Sequence, residues 1–468
     1  MVGRGPAGAA LPPQARRRVT ARLRSLGEPG WTVAIASIVL YLFVVHSYRL
    51  PLGTTAIITG LIALALEGKR LTVPPFLLWF GAYLLWALAA SPLGMDPGHS
   101  WERWQDFGKI WLIAFLIANA ARSEQQWRIV LVGWLAMFAL FPFRGTVMNY
   151  LSGITHAGRY AWNFAFENPN DLAAITLLIL ALCVSLVRAP RPHWVRWSAR
   201  IGAATLPFLI LLTGSRGAML ALVVFGAVLL AFSKRKLGTA VLVGVACVIA
   251  LPFLPANLKE RFGNMRFLTN TETLRQADGS AEQRYVILRV AATVARDHLL
   301  YGVGIGNYPY ANKQYASQRA EWELADGFRD SHNTYLTIAA ETGIPGLILM
   351  SGAAGSLLFG LLRARREGTR LAPHVSDPAL AEALVNRPPA LLAGTLAFMT
   401  AGIFGSLFYI IFPYLFAVST YGITQVSLIR ARRDLAFRDP SAGGAVAPPR
   451  HQSLRLGRRF AATRPRVA

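Results

Sequence analysis

Apolar residues in this chain come in unbroken runs, not in the spaced pattern of a half-buried helix or the alternation of a strand. The runs lie at roughly 31–46, 50–66, 73–91, 107–121, 127–143, 171–187, 198–214, 216–232, 237–256, 344–362, 389–409 and 410–429. About 20 apolar residues cross a hydrocarbon core as a helix. Lipid offers no partner to a free backbone N–H or C=O, so each crossing is expected to be helical. The run 50–66 is diluted by Gly and Thr, and Leu391 to Ile429 is too long for one crossing, with Pro413 marking a break. The pattern predicts an all-α membrane protein of about twelve transmembrane helices. One long hydrophilic loop, 257–331, is expected to contain short helices.

Charge then orients the bundle. The 468 residues are 54% apolar and carry a net charge of +25. Such an excess is compatible with nucleic-acid binding, but its placement has another explanation. With the N-terminus in the cytoplasm, 32 of the 48 Lys and Arg fall on the cytoplasmic side. Ten more lie in 257–331, a loop too long to report orientation, and six remain outside. That is the positive-inside asymmetry of an inner-membrane protein, and no nucleic-acid partner is needed to explain it. The expected organisation is a basic cytoplasmic tail over 1–30, nine spans over 31–256, the periplasmic loop 257–331, a motif helix with three further spans over 332–429, and a basic disordered cytoplasmic tail over 430–468. Arg16, Arg17 and Arg18 precede the first run, and no A-x-A-like site follows it, so an uncleaved signal anchor is expected. Cys183 and Cys247 each sit inside an apolar run, which indicates neither a disulfide framework nor a thiolate metal site.

The same topology gathers the polar motifs on the outer side: the loop 144–170, the tight connection Gly214-Ser215-Arg216, and the loop 257–331 leading into His332. A bacterial periplasm has no ATP and no nucleotide sugars, so an enzyme there needs a donor activated in advance, such as a lipid-linked sugar diphosphate. Arg216 lies between two apolar runs. It is either a snorkelling interface residue or a functional cation whose fork grips phosphate. His332 opens a segment, 332–342, that looks like a short helix ended by Gly343, with Pro345 at the start of the next span. His332, Tyr335, Leu336 and Ala339 would share one face, while Glu341, nine residues on, falls about 180° away, which disfavours a His–Glu dyad. A lone histidine is often just an interfacial hydrogen-bonded group, though its pKa also suits a general base. Arg284, Arg289 and Arg296 lie on a plausible amphipathic helix, as a solvated basic face or as an anion site. Gly302-Val-Gly304-Ile-Gly306-Asn307 reads as a turn and not a dinucleotide fingerprint, because no βαβ pattern surrounds it. Asn168-Pro169-Asn170-Asp171 reads as a helix cap. Glu321, Glu323, Asp326 and Asp330 have no metal spacing, there is no D-x-D, and neither a metal nor a cofactor is expected.

Taken together and in order, four motifs resemble the O-antigen ligase and polymerase superfamily of bacterial membrane proteins. They are F-E-N-P-N-D-L-A at 166–173, T-G-S-R-G-A at 213–218, Arg284 eighteen residues before G-V-G-I-G-N at 302–307, and H-N-T-Y-L-x-x-x-x-E-T-G-x-x-G from His332 to Gly346. The last is fairly specific and the others are weak singly. The resemblance is strongest from about 160 to 350. It implies transfer of a glycan from undecaprenyl diphosphate to an acceptor hydroxyl at the periplasmic face, without metal and with inversion at the anomeric carbon. It implies that Arg216 and His332 are catalytic, that Arg216, Arg284 and Arg289 hold the diphosphate, and that Ser215, Asn333, Tyr335, Glu341, Asn168 and Asn170 support them. The acceptor would be lipid A–core, a growing polysaccharide or a protein, so ligase, polymerase and protein O-oligosaccharyltransferase all stay open. A lipid-linked glycan flippase is the reading from a different class. It would line mid-membrane positions with charge, whereas these runs are nearly charge-free.

Overall fold

The computed structural model describes residues 30–438 apart from Lys69, Ala157, 189–191 and 234–278. The expected span 237–256, Cys247, the first part of the long loop and most of both tails lie outside the described residues. Within them the secondary structure is helical: α1 Val33–Ser47, α2 Gly53–Leu66, α3 Pro75–Ala90, α4 Pro97–Ala120, α5 Glu124–Phe138, α6 Arg144–Leu151, α7 Pro169–Leu186, α8 His193–Leu212, α9 Arg216–Phe232, α10 Gly279–Asp297, α11 Tyr308–Ala316, α12 Thr334–Leu371, α13 Pro378–Ala401 and α14 Phe412–Arg438. Among the described residues five helical stretches are long and apolar enough to cross a membrane: Pro75–Leu93, Glu124–Leu151, Pro169–Leu186, His193–Leu212 and Thr334–His374. Three shorter helices, α1, α2 and α9, are also apolar. Pro142 does not end the second stretch; it loosens the helix into one π turn, Ala139–Phe143, between α5 and α6.

α7 is buried along almost its whole length, with Leu172 to Leu182 inaccessible or nearly so. Small residues let its neighbours approach: Gly394 of α13 abuts Ala181, and Gly202 of α8 abuts Cys183. Close backbone approach of this kind is how helices gain packing energy where no water is displaced.

Among the described residues the polar contacts gather at two ends of the helices, the starts of α5 and α13 with the ends of α12 and α14, and the loops that precede α7, α9 and α12. At one, Glu124 meets Arg387 at 3.7 Å and also pairs with Arg430, while Arg430 reaches Asp377 at 2.8 Å and Arg432 pairs with Glu367. This network ties the starts of α5 and α13 to the ends of α12 and α14, on cations that the orientation count places inside. At the other end the connections are irregular backbone, much of it buried.

Two expectations change there. The run 389–409 is not one helix. α13 starts early, at Pro378, carries Pro388 and Pro389 in its interior and stops at Ala401. The residues 402–411 that follow are an apolar loop, and Pro413 sits in the first turn of α14, where a missing N–H costs nothing. The motif helix also begins later than expected, at Thr334, so His332 lies before the helix and on none of its faces.

Gly343 breaks α12 as expected, with φ 68° and ψ −176°. The break receives the G-V-G turn. Val303 N donates to Ala340 O at 2.8 Å, Gly304 N to Glu341 O at 2.9 Å, and Ile344 N to Leu299 O at 2.8 Å. A methyl on Gly302 would overlap the backbone of Glu341 and Thr342, and one on Gly343 the backbone of Leu299 and Leu300. Gly302→Ala and Gly343→Ala are therefore expected to lower the thermal midpoint of the purified protein sharply, since overpacking costs about 1–3 kcal/mol before the strain of positive φ is added. Gly355→Ala, in the same α12 but facing open space, is expected to leave the midpoint unchanged or raise it, because alanine is the better helix former. Thermal unfolding in detergent compares the three, and equal losses would refute the lock.

Candidate active site

Ser331 to Tyr335 lies against the 402–407 loop, and its side chains supply the partners that the loop's backbone lacks. Asn333 caps α12 by accepting from Tyr335 N at 2.9 Å and Leu336 N at 3.0 Å, and its Nδ2 donates to Ile403 O at 3.1 Å. Thr334 N donates to Gly402 O at 2.8 Å. Thr334 Oγ1 donates to Gly405 O at 2.7 Å and accepts from Leu407 N at 2.9 Å. Tyr335 OH donates to Met399 O at 2.8 Å. The buried Ser331 hydroxyl accepts from Asn333 N and sits 2.6 Å from Thr337 Oγ1.

Between these fixed neighbours His332 is held at φ 53°. Left-handed backbone is costly for a residue with a Cβ, and it persists where the surroundings over-determine it. Burial pushes the His332 imidazole below its usual pKa, Arg284 and Arg329 push it further, and Asp330 opposes them. The side chain is thus uncharged near neutral pH and flanked by both signs of charge.

Glu341 does not pair with His332. It is fully buried, accepts from Tyr308 N at 3.3 Å and from Gly306 N, and takes the Tyr409 hydroxyl on its other oxygen. Asn307 completes this anchorage by donating to Ser100 Oγ at 3.0 Å and Asp96 O at 3.1 Å. The E-T-G and G-V-G-I-G-N motifs are therefore one structural joint.

The arginines of α10 part company. Val286, Ile287, Val290, Ala291 and Val294 form its buried face. Arg284 lies at the end of that side, within electrostatic reach of His332. Arg289, five residues on and so about 140° around the helix, is half exposed and 3.7 Å from Glu321. Arg296 pairs with Asp297 at 3.1 Å.

Arg216 occupies the first position of α9. Gly214 turns at φ 60°, and Ser215 caps the helix by accepting from Ala218 N at 3.4 Å. Gly217 packs on Phe404, the neighbour of the Ile403 that Asn333 holds. Arg216 and His332 thus flank the same 402–407 loop.

Asn168 caps α7 by accepting from Asn170 N at 3.0 Å, and Asn170 Oδ1 accepts from Arg159 Nη1 at 3.0 Å. Arg159 and Asp171 lie within electrostatic range of each other, and Asp171 of Asp330. The sequence assigned no role to Arg159, Arg329 or Tyr409, read Asp171 only as part of a helix cap, and treated Asp330 only as part of an acidic cluster. The nearness of Asp330 to His332 in the chain was one available signal. Among the described residues no group of three or more His, Cys, Asp or Glu is arranged to hold a metal.

The arrangement combines a neutral imidazole able to accept a proton with arginines able to neutralise an anion. Residues 201–351 match the family model described as O-antigen ligase. The match supports the superfamily indicated by the motifs, and with the apolar helices it indicates a multi-pass membrane protein. No curated protein matches the chain.

Titration of His332 checks this electrostatic description. By imidazole nitrogen NMR, with the signal assigned by its loss in His332→Gln, the midpoint is expected below about 6.5. Arg284→Ala should raise it and Asp330→Asn should lower it further. The folded state binds this proton less tightly than the unfolded chain, so the group costs stability as pH falls through 6.5 and costs none above. A midpoint above 6.5 would contradict the assignment.

Proposed function

We propose that the protein is a metal-independent, inverting membrane glycosyltransferase. It would move a glycan from an undecaprenyl-diphosphate donor to an acceptor hydroxyl at the periplasmic face, with about twelve spans and both termini cytoplasmic. The observation that carries this reading is a neutral, strained His332 beside Arg284, with Arg216 across one shared loop. The match over 201–351 adds the family.

In this scheme the acceptor oxygen attacks the anomeric carbon and the bond from that carbon to the diphosphate oxygen breaks. His332 takes the acceptor's proton as the new bond forms. Undecaprenyl diphosphate leaves with the bonding electrons. Diphosphate is a good leaving group, so the protein's task is to stabilise the charge that develops on it, and Arg216 and Arg284 are assigned to that. Arg216 has a second advantage, because the N–H groups at the start of α9 favour an anion at the same place. Arg289 is given at most a peripheral role, given its exposure and its pairing with Glu321. Asn333 and Tyr335 hold His332, Glu341 holds the turn, Ser215 caps the helix of Arg216, and Asn168 and Asn170 order the approach to α7.

A ligase acting on lipid A–core and a polysaccharide polymerase fit this scheme equally, and a protein O-oligosaccharyltransferase differs only in its acceptor. A flippase fits less well, because the candidate membrane helices carry very few charged residues.

Purified protein supplied with a lipid-diphosphate glycan and candidate acceptors tests the scheme by gel shift. His332→Ala and Arg216→Ala are expected to abolish transfer while the protein still inserts. Arg216→Lys should also be severely impaired, since lysine keeps the charge but not the planar fork. Arg289→Ala should keep most activity. The acid limb of kcat/KM should fall below about pH 6.5, following His332. Near-normal turnover by His332→Ala would remove the general base. Loss of activity on chelation, restored by a divalent ion, would replace the metal-independent scheme.

A further inference from the structure

Three residues other than glycine hold positive φ among the described residues: His332, Tyr48 at 53° and Phe164 at 59°. The last two touch each other. Their rings stack with centroids 5.1 Å apart and planes inclined by 16°. Both are exposed, Tyr48 at 41% and Phe164 at 57%, so burial in the core does not account for holding them in costly backbone. Tyr48 closes α1 with its N–H on Val44 O, in the left-handed cap position that glycine usually takes. Strained backbone that displays a side chain is typical of ligand clamps.

Phe164 stands at the tip of an arm whose base lies at the active site. Arg159 and Asn170 staple that base at 3.0 Å, Tyr160 N donates to Leu212 O at 3.4 Å just before the T-G-S-R turn, and Asp171 neighbours Asp330. Five residues of chain separate Phe164 from Arg159, at most about 17 Å fully extended. Rings continue inward from the tip: Trp162 lies 6.0 Å from Phe166, and Phe166 lies 5.3 Å from Phe412, where the 402–411 loop ends. Arg49, the residue after Tyr48, sits over Phe141 at 5.7 Å and supplies a cationic donor next along the chain.

We propose that Tyr48 and Phe164 form a carbohydrate-binding platform that holds the glycan of the lipid-linked donor a few sugar units from the bond being broken. The proposal rests on the glycan-transfer reading above. Pyranose rings present C–H faces that stack on exposed aromatic rings, while their hydroxyls accept hydrogen bonds from a guanidinium. An aromatic belt at the membrane interface is the competing explanation. Belt residues on regular helix surfaces need no strained backbone, and the stacked, strained pair favours sugar.

The test uses the full chain in lipid nanodiscs with Phe164→Trp as a fluorescent reporter. The probe is the oligosaccharide pool released by mild acid from the lipid-linked fraction of the source cells. A saturable change in the reporter is expected, and Tyr48→Ala in the same background should weaken the apparent Kd about tenfold. Tyr48→Gly and Phe164→Gly are expected to raise the thermal midpoint by relieving the backbone, yet to raise the KM for the donor with kcat little changed. A purely structural pair would lose stability instead, and that result would overturn the platform. So would a reporter that ignores the oligosaccharides but is quenched by brominated phospholipid. Transfer by the wild-type protein is measured on the same preparation. Its absence would reject the parent reading, whereas the oligosaccharide titration stands or falls on its own.

Discussion

Irregular backbone inside an apolar bundle must find its hydrogen-bond partners within the protein, and the end that carries the candidate site is built around that requirement. The 402–407 loop leaves carbonyls and an amide outside any helix ladder. Asn333 and Thr334 take the carbonyls of Ile403, Gly402 and Gly405 and the amide of Leu407, while Tyr335 holds Met399 O at the end of α13. The break at Gly343 exposes the carbonyls of Ala340 and Glu341, and the amides of Val303 and Gly304 take them. A buried group left unpaired costs about 1–3 kcal/mol, so these stitches fix the loops to one another on both sides of the left-handed His332. The motif that carries the candidate general base is thereby mostly scaffold, and its chemistry is concentrated in one side chain.

Electrostatics then divide the labour between the two ends of the bundle. At the end assigned to the cytoplasm, arginines are neutralised by acids from neighbouring helices and act as struts. The buried Arg387 is the clearest case, held between Glu124 and Ser427. At the opposite end charges of both signs gather around one imidazole. His332 sits among Arg284, Arg329 and Asp330, with Arg216 across the loop. Such a field suits the proposed reaction, in which a departing diphosphate is stabilised while the imidazole stays uncharged.

Much of this was legible in the sequence, and the parts that were not share a physical reason. Apolar runs located the helices because lipid-facing and core-facing positions are both apolar, but the same property hid the loop 402–411, whose residues are apolar without being helical. Gly343 and the cap at Asn168 could be read directly, since each depends on local backbone chemistry. His332 was identifiable as a candidate from its motif, but its left-handed backbone depends on contacts 70 residues away in sequence and leaves no local mark. Periodicity disfavoured a His332–Glu341 pair and the two do not pair, but it did so on a helix that the structure starts only at Thr334, after His332. It could not show that Glu341 accepts from Tyr308, Gly306 and Tyr409, because those partners come from two other segments. Arg284 and Arg289 looked equivalent until α10 acquired a buried side.

The most direct test of this account is hydrogen–deuterium exchange of the 402–407 peptide in nanodiscs, compared between the wild type, Thr334→Val and His332→Ala. Threonine Oγ1 both donates to Gly405 O and accepts from Leu407 N, and valine keeps the shape while removing both bonds. The account requires protection comparable to the helices in the wild type, loss of protection in Thr334→Val, and full protection in His332→Ala despite its lost chemistry. Rapid exchange of the loop in the wild type, or equal loosening in both variants, would contradict it.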